Sequence, residues 1–224
     1  MSIGELIQIK KILFLDQLFV IRNYYRKSLR FAIADLLLCF FALVFNPYRV
    51  SRRFLQKKGE KNLYVYGETP LKTLHRIADF CNLGASDTFL ELGAGRGKGC
   101  FWISSFVGCK TIGVEWIPLF SKVASFLAKM LRFDTLSFFC EDFQKSDFSK
   151  ATFVYLYSTS MSDQEIEHIV KKMEERLPNR AKVLTVSEPL NHFRFKQIRS
   201  FPVSFPWGTT SAYLHEKIEK RIQM

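Results

Sequence analysis

The sequence predicts an α/β fold, in which a doubly wound, mainly parallel sheet of seven strands follows an N-terminal helical region. Three observations support this fold class. From residue 88 onward, short apolar runs alternate with segments of helical periodicity, which is typical of parallel βαβ units. A glycine-dense turn at residues 93–99 directly follows the first of these runs. Each of the first three runs ends in or next to an acidic residue.

The distribution of charge predicts two regions. We expect a basic, hydrophobic helical region over residues 1–62 and the main domain over residues 63–224. The first region carries twelve lysines and arginines against four acidic residues, so it holds +8 of the net charge of +12. Such a block indicates an acidic partner, namely a membrane surface, a nucleic acid or an acidic protein. The simpler alternative is that these charges lie on helix faces that contact only water.

The N-terminal region contains a hydrophobic segment whose surroundings the sequence leaves open. Residues 5–30 have the spacing of a helix that ends in a basic cluster, and residues 31–45 are apolar apart from Asp35. A membrane-spanning helix needs about twenty apolar residues, so this segment is short. Three alternatives follow. The segment lies in a membrane interface with its basic flanks on anionic head groups, crosses the bilayer once, or packs as a buried helix on the main domain.

The residues after this segment predict a helix end and a linker. Asn46 should end the helix because Pro47 follows it, and residues 51–61 are then expected to be a basic linker. The five cysteines are scattered without C-x-x-C spacing and the four histidines do not cluster, which indicates a reducing compartment and no metal site. We therefore expect a cytoplasmic protein in which residues 12–45 provide any association with a membrane.

The main domain begins with a loop at residues 64–70 that leads into a helix, with Thr69 as a candidate N-cap and Pro70 as the first helical residue. Five strands are then predicted, at residues 88–92, 110–115, 136–140, 151–157 and 181–186. Helices are predicted at residues 100–107, 118–133 and 163–177. Extended segments at residues 201–205 and 211–215 are expected to add an antiparallel hairpin at one edge of the sheet.

The acidic residues at the strand ends predict the ligand. Ligands of open α/β sheets bind at the carboxyl ends of the strands, where Glu91, Glu115 and Asp142 should lie. Glu115 suits the two hydroxyls of a ribose, Asp142 with Phe143 suits an adenine, and Glu91 suits an ammonium group. A carboxylate beside the glycine turn disfavours a pyrophosphate, which needs positive charge. The set therefore predicts S-adenosyl-L-methionine rather than a dinucleotide.

Several motifs carry a family resemblance. The segments at residues 91–97, 113–115 and 141–143 resemble class I S-adenosylmethionine-dependent methyltransferases, which have a Rossmann-like fold. Within that class, Tyr-Gly-Glu-Thr at residues 66–69 and the tail at residues 187–215 resemble the non-SET histone-lysine methyltransferases, the disruptor-of-telomeric-silencing-like family. The chain is also similar to a smaller group of membrane-anchored protein-lysine methyltransferases, which carry a short hydrophobic N-terminal segment.

The resemblance implies a role for each motif. Tyr66 and Thr69 would close over the methionine part of the cofactor. The implied cofactor-binding residues are Thr69, Glu91, Gly93, Gly95, Lys98, Glu115, Asp142 and Phe143. An apolar channel for a lysine stem would be walled by Phe205, Trp207 and Tyr213.

We therefore expect a protein-lysine N-methyltransferase. An apolar channel helps a lysine amine to lose its proton, since desolvation disfavours the charged form. Tyr66, Glu68 and Ser158 are candidate catalytic residues that would position the amine or accept its proton, and Ser158 stands where the histone family has asparagine. The alternatives are an RNA methyltransferase, whose phosphate contacts the basic charge would supply, and a membrane-associated binding module with a vestigial cofactor fold. No Asn/Asp-Pro-Pro-aromatic motif follows the fourth strand, which argues against methylation of DNA bases.

Overall fold

The computed structural model describes residues 3–159 and 161–219. Residues 1, 2 and 220–224, at the ends of the two predicted regions, lie outside the described residues. The helices are α1 (Ile3–Val20), α2 (Leu29–Val44), α3 (Pro47–Lys58), α4 (Leu71–Phe80), α5 (Lys98–Phe106), α6 (Pro118–Met130) and α7 (Asp163–Arg176). The strands are β1 (Thr88–Leu92), β2 (Lys110–Glu115), β3 (Leu136–Cys140), β4 (Phe153–Leu156), β5 (Lys182–Val186), β6 (Phe195–Phe205) and β7 (Gly208–Lys217). A short π-helical turn (Ile21–Tyr25) follows α1, and a 3-10 turn (Phe143–Lys145) follows β3.

The seven strands form one sheet in the order β3-β2-β1-β4-β5-β7-β6. The first five strands in this order are parallel to one another, whereas β7 runs antiparallel to both β5 and β6. The predicted fold class and the predicted edge hairpin are therefore confirmed. The chain order reverses between β1 and β4, and a crevice at the carboxyl ends of the strands is expected at such a switch point.

The sheet is buried on both faces, which explains the nearly continuous apolar composition of its central strands. All four residues of β4 are buried, as are the last four residues of β1. One face packs against α4, α5 and α6, and the other packs against α7. Helix α7 begins with a capping box, in which the Ser162 hydroxyl accepts from the backbone N–H of Glu165 and the Glu165 carboxylate accepts from that of Ser162.

The predicted linker at residues 51–61 is wrong, because most of it belongs to helix α3. Helix α2 ends at Val44, just before the Asn-Pro pair, and the Asn46 side chain caps α3 by accepting from the backbone N–H of Arg49. Pro47 then occupies the first helical position, and Gly59 ends the helix in a left-handed conformation. The Asn-Pro pair therefore separates two helices, and most basic residues of the predicted linker lie on the exposed face of α3.

Two other local predictions also need correction. The segment at residues 5–30 is not a single helix, since α1 ends at Val20 and the Ser28 hydroxyl caps the start of α2. Thr69 does not cap α4, which has Pro70 at its cap position and no side-chain cap. The Thr69 hydroxyl instead lies 2.6 Å from the Tyr155 hydroxyl, so it joins the loop to the sheet.

The N-terminal helices pack on the main domain over one face. Tyr24 is buried among the aromatic rings of Phe31, Trp102 and Phe106, which ties the N-terminal region to α5. Helix α2 buries Phe31, Asp35 and Leu38 among other residues, as a buried helix would. Among the described residues, no single helix is both long and apolar enough to cross a bilayer. Helices α2 and α3 taken together have the length and composition of a membrane span, but the pair is bent by 66°.

Candidate active site

The glycine turn between β1 and α5 forms the centre of the candidate site. Gly93, Gly95 and Gly97 have φ values of +82°, +56° and +83°, which side chains rarely adopt. A Cβ atom at Gly97 would also lie 2.6 Å from the ring of Phe138. The turn is held against the next strand because Gly93 and Ala94 both donate their backbone N–H groups to the Val114 carbonyl. These contacts fix the turn at the carboxyl end of the sheet.

Glu115 lies directly beneath this turn, at the end of β2. Its carboxylate accepts hydrogen bonds from the backbone N–H groups of Gly95 and Ile117, both at 2.7 Å. Burial raises the pKa of Glu115 to about 7, against the lowering effect of these backbone donors. The Glu115 carboxylate therefore stabilises the turn from a buried position. Its contact with a ribose stays a prediction.

Glu91 is the second buried carboxyl at the site. It belongs to β1, and its carboxylate accepts from the thiol of Cys100 at 3.0 Å. Burial is again the main cause that raises the pKa of Glu91 to about 7. A buried carboxyl with little compensation by hydrogen bonds is well suited to bind a positively charged group, which would favour its ionised form.

A small cavity opens between the glycine turn and the loop at residues 66–69, which we call the lid loop. It encloses about 30 Å³, which is space for a molecule the size of water. Its lining consists of Gly67, Glu68, Thr69, Glu91, Leu92, Gly93, Ala94, Lys98, Gly99, Tyr155 and Tyr157. The structure thus brings together five of the predicted site residues: Glu68, Thr69, Glu91, Gly93 and Lys98.

The lid loop is held by ionic and hydrogen-bonded contacts. Glu68 accepts from Arg96 in a two-point contact, with its Oε1 atom 2.6 Å from Nε, and also accepts from the Tyr66 hydroxyl. Burial alone would raise the pKa of Glu68, but the Arg96 guanidinium outweighs it and lowers this pKa below its ordinary value. Burial and the Glu68 charge raise the pKa of Tyr66 well above its ordinary value. Tyr66 therefore keeps its proton, and Glu68 is already engaged, so both are better placed to position groups than to accept a proton.

Lys98 is the basic residue among the described residues that line the cavity, and its charge is already paired. Its ammonium lies 3.3 Å from the carboxylate of Asp35 and 2.9 Å from the side-chain oxygen of Gln17. Asp35 in turn accepts from Gln17 and Tyr25. In the sequence, Asp35 is only a charge within an apolar segment, so its contact with the site is not predicted. The signal that could have revealed this contact is a single acidic residue in an otherwise apolar helix.

An aromatic group reaches the cavity through Tyr157. The Trp207 ring is stacked on Phe205 with centroids 5.4 Å apart, and its N–H donates to the Tyr157 hydroxyl at 2.9 Å. Tyr157 itself lines the cavity, as does Tyr155. Neither tyrosine was predicted as a site residue, although both come from the end of β4, next to the switch point where the prediction places the ligand.

Besides Tyr66, Gly95 and Glu115, described above, three predicted site residues are not part of the cavity lining and have other partners. The Asp142 carboxylate accepts from the backbone N–H of Gln144 and so caps a 3-10 turn after β3. Phe143 packs at the edge of the core between the sheet and α7. Ser158 is buried, and its hydroxyl donates to the Val186 carbonyl at 2.9 Å rather than facing the lid loop. The geometry therefore gives Ser158 a structural contact, and the roles of Asp142 and Phe143 toward an adenine stay predictions.

The residues around the cavity fit S-adenosyl-L-methionine. The cavity is lined by the buried Glu91 carboxyl, while the charge of Lys98 is paired with Asp35. This donor set suits a ligand with a cationic tail and offers little to a pyrophosphate. Glu91 would hold the ammonium of the tail, and the turn at Gly93 and Gly95 would lie along it. The bound cofactor would supply an electrophilic methyl group beside the lid loop.

Comparison with solved structures shows the same fold in methyltransferases. An RNA methyltransferase from Salinibacter ruber, in complex with S-adenosyl-L-homocysteine, is 21% identical with a TM-score of 0.58, over 70% of this chain and 98% of that chain. The geranyl diphosphate C-methyltransferase from Streptomyces coelicolor A3(2) is 13% identical with a TM-score of 0.55, over 66% and 79%. The m1A22 tRNA methyltransferase of B. subtilis is 13% identical with a TM-score of 0.54, over 65% of both chains.

Comparison with sequences identifies the family. No curated protein sequence matches the chain significantly. The family model described as "Histone methylation protein DOT1" matches residues 52–174, which is more than half of the 224 residues. This match includes the lid loop, the glycine turn, Glu115 and Asp142. The chain therefore belongs to the DOT1 histone methylation family and is an S-adenosyl-L-methionine-dependent methyltransferase.

Proposed function

We propose that the enzyme methylates the side-chain nitrogen of lysine in a protein. The observation that carries this proposal is the aromatic group around Tyr157, which lines the cavity, contacts the ring of Phe205 and accepts a hydrogen bond from the indole of Trp207. A lysine presents a long apolar stem and a small charged head, and aromatic walls suit both parts. Membership of a histone methylation family supports a protein substrate. A histone is the substrate that the family suggests first.

The reaction is an in-line displacement. The bound cofactor would supply an electrophilic methyl carbon to the lone pair of the neutral lysine amine; a carbon–nitrogen bond would replace the carbon–sulfur bond, whose electrons would stay on the sulfur of the departing S-adenosyl-L-homocysteine. The ammonium must first lose a proton, and an apolar channel lowers its pKa because desolvation disfavours the charged form. The proton then passes to water. Alignment of the reacting atoms lowers the activation barrier by roughly several kcal/mol, because the two reactants are already held in the reacting geometry.

The chain's own residues would orient this step. Tyr66 keeps its proton and is fixed by Glu68, so it forms a rigid wall of the site beside the glycine turn. Gly95 lies close to this wall, since a Cβ atom there would be 3.6 Å from the Tyr66 ring. Trp207 and Phe205, which contact Tyr157 at the cavity, would hold the lysine stem.

Transfer of a tritiated methyl group into a cell lysate tests the proposed substrate class. After incubation with the purified enzyme, one half of the product is digested with protease and the other half with ribonuclease. We expect protease to release the label and ribonuclease to leave it in place. Release by ribonuclease alone would support the RNA methyltransferase alternative, and a heat-inactivated enzyme is the control. Failure to bind the cofactor in calorimetry would support the vestigial binding module.

We also propose that the N-terminal region holds the enzyme on an anionic membrane surface in the cytoplasm. The face of α2 that points away from the domain exposes an apolar stripe, which consists of Leu29, Ile33, Leu36, Phe40 and Leu43. The next helix, α3, exposes the basic residues Arg49, Arg52, Arg53, Lys57 and Lys58. Apolar side chains beside basic ones match a lipid interface that carries anionic head groups.

Co-sedimentation with lipid vesicles tests this association. We expect the enzyme to sediment with phosphatidylserine vesicles and much less with neutral phosphatidylcholine vesicles, because each basic residue near an anionic surface contributes about 1 kcal/mol. The double variant Phe40→Ser, Leu43→Ser should lose binding and keep cofactor affinity. Equal sedimentation of this variant and the parent enzyme would contradict the proposal.

A further inference from the structure

The glycine turn carries a buried arginine, Arg96, whose guanidinium joins three separate segments of the chain. Two of its nitrogens contact the Glu68 carboxylate in the lid loop. The third nitrogen donates to the backbone carbonyl of Leu38 in α2 at 2.7 Å. Arg96 itself belongs to the turn, and its side chain is 10% exposed. One charged group therefore connects the lid loop, the turn and the N-terminal helix.

This contact is the main polar anchor of the lid loop near the turn. A two-point contact between a guanidinium and a carboxylate fixes both distance and orientation. It also fixes Tyr66, since the Tyr66 hydroxyl donates to the same Glu68 carboxylate and its ring contacts Phe120 with centroids 5.4 Å apart. Loss of one partner would leave a buried charge without compensation, which is strongly destabilising for the arrangement.

The lining of the cavity behind the lid loop shows what this anchor controls. Glu68 and Thr69 of the lid loop line the cavity together with Glu91, the carboxyl that would hold the ammonium of the amino-acid tail, so the loop would cover the tail. The Glu68–Arg96 contact joins the lid loop to the glycine turn. Its strength therefore sets how easily the loop opens.

We propose that Arg96 is a positioning residue, which holds the lid loop closed over the amino-acid tail of the bound cofactor. The proposal rests on the cofactor site and not on the methylated substrate. Arg96 touches neither the methyl group nor the lysine. It acts through Glu68 and Tyr66, and the Leu38 carbonyl orients its guanidinium from the side of α2.

Release of two related ligands from the full-length enzyme tests this role. S-Adenosyl-L-homocysteine has the amino-acid tail, whereas 5′-methylthioadenosine lacks it. For Arg96→Gln, we expect release of labelled S-adenosyl-L-homocysteine to accelerate at least about tenfold, because removing one member of a buried ion pair frees the other. Release of 5′-methylthioadenosine should change less than about threefold, since this ligand lacks the tail that the lid loop would cover. A purely structural role would alter both ligands equally or neither.

Two further variants keep the test decisive. Glu68→Gln removes the same ion pair from the loop side and should give the same pattern, which decides the question if Arg96→Gln does not fold. Arg30→Gln is the matched control, because Arg30 also joins the N-terminal region to a domain carbonyl, that of Arg132, but away from the lid loop. Equal acceleration for both ligands in Arg96→Gln or Glu68→Gln, or unchanged release of S-adenosyl-L-homocysteine, would overturn the proposal. These measurements of ligand release do not depend on whether the methylated substrate is a protein, so the proposed function is tested separately.

Discussion

The ammonium of Lys98 lies 3.3 Å from the carboxylate of Asp35, which joins the first turn of α5 to the buried face of α2. The Asp35 side chain is fully buried and that of Lys98 is 14% exposed. Two consecutive basic positions of the glycine motif, Arg96 and Lys98, are thus both anchored by the N-terminal helices. The N-terminal region is part of the wall of the cofactor site and not merely an attachment to it.

Replacement of Asp35 should destabilise the fold. In Asp35→Ala the ammonium of Lys98 loses its counterion in a largely buried position, so we expect the free energy of unfolding to fall by about 3–5 kcal/mol. Urea denaturation followed by circular dichroism measures this change. Asp79→Ala is the control, because Asp79 pairs with His75 at an exposed position and should cost under about 1 kcal/mol. An equal fall of the unfolding free energy in the two variants would show that the buried pair stabilises the fold no more than the exposed pair does.

The raised pKa values of Glu91 and Glu115 predict a specific pH dependence of stability. Both pKa values rise from 4.5 to about 7, mainly through burial. Between pH 4.5 and about 7, these two carboxyls keep their protons in the folded chain and lose them in the unfolded chain. The stability that these protonated carboxyls contribute is therefore fully present below pH 4.5 and is lost as the pH rises through about 7.

The variant Glu91→Gln isolates one of these groups. Its neutral amide has no proton to lose, so the variant should be more stable than the parent enzyme at pH 8, by about 1–3 kcal/mol, and close to it at pH 5. Guanidinium denaturation at pH 5, 6 and 8 provides the measurement. A difference between the two proteins that does not change with pH would contradict the raised pKa of Glu91.

Glu115→Ala should weaken cofactor binding. The Glu115 carboxylate braces Gly95 and Ile117 and is predicted to hold the ribose, so we expect calorimetry to show at least about a tenfold loss of S-adenosyl-L-methionine affinity, which corresponds to about 1.4 kcal/mol. Asp147→Ala is a suitable control, because Asp147 accepts only from Ser149 in its own exposed turn. Unchanged affinity in a folded Glu115→Ala enzyme would remove the ribose assignment.

Trp207 offers a test of the substrate side alone. Its indole is half exposed, stacked on Phe205 and hydrogen-bonded to Tyr157, which lines the cavity. In Trp207→Ala we expect kcat/KM for the methylated protein to fall about tenfold, a typical cost for the loss of one aromatic contact, with cofactor affinity unchanged. Phe126→Ala, which removes an exposed ring on α6, should change neither value. A loss of cofactor affinity in Trp207→Ala would place this ring beside the cofactor and not beside the substrate lysine, which would contradict the proposal.

The regular part of the molecule could be predicted from the sequence because local signals determine it. The three predicted strands at β1, β2 and β3 have the observed bounds, since apolar runs bounded by glycine, proline and charged residues predict parallel strands well. The glycine turn and its two buried carboxyls were found for the same reason. Residues 66–69 were recognised by resemblance, and the structure places them against this turn.

The contacts that depend on tertiary packing could not be predicted. Asp35 lies 63 positions before Lys98, and no local pattern links the two. Thr69 has the sequence of an N-cap, but its hydroxyl finds a partner in Tyr155 on the sheet. The Ser158 hydroxyl is likewise engaged by the Val186 carbonyl of a neighbouring strand. In each case a distant partner overrides the local preference of the side chain.

Identification of the methylated residue tests the central claim most directly. The protein fraction of a lysate labelled with tritiated S-adenosyl-L-methionine is hydrolysed to amino acids, and the labelled products are separated. We expect the label in methylated lysine, and markedly less of it when the folded Glu115→Ala enzyme, with its weaker cofactor binding, replaces the parent. Label in methylated arginine, in a carboxyl ester or only in nucleosides would contradict lysine methylation by this enzyme.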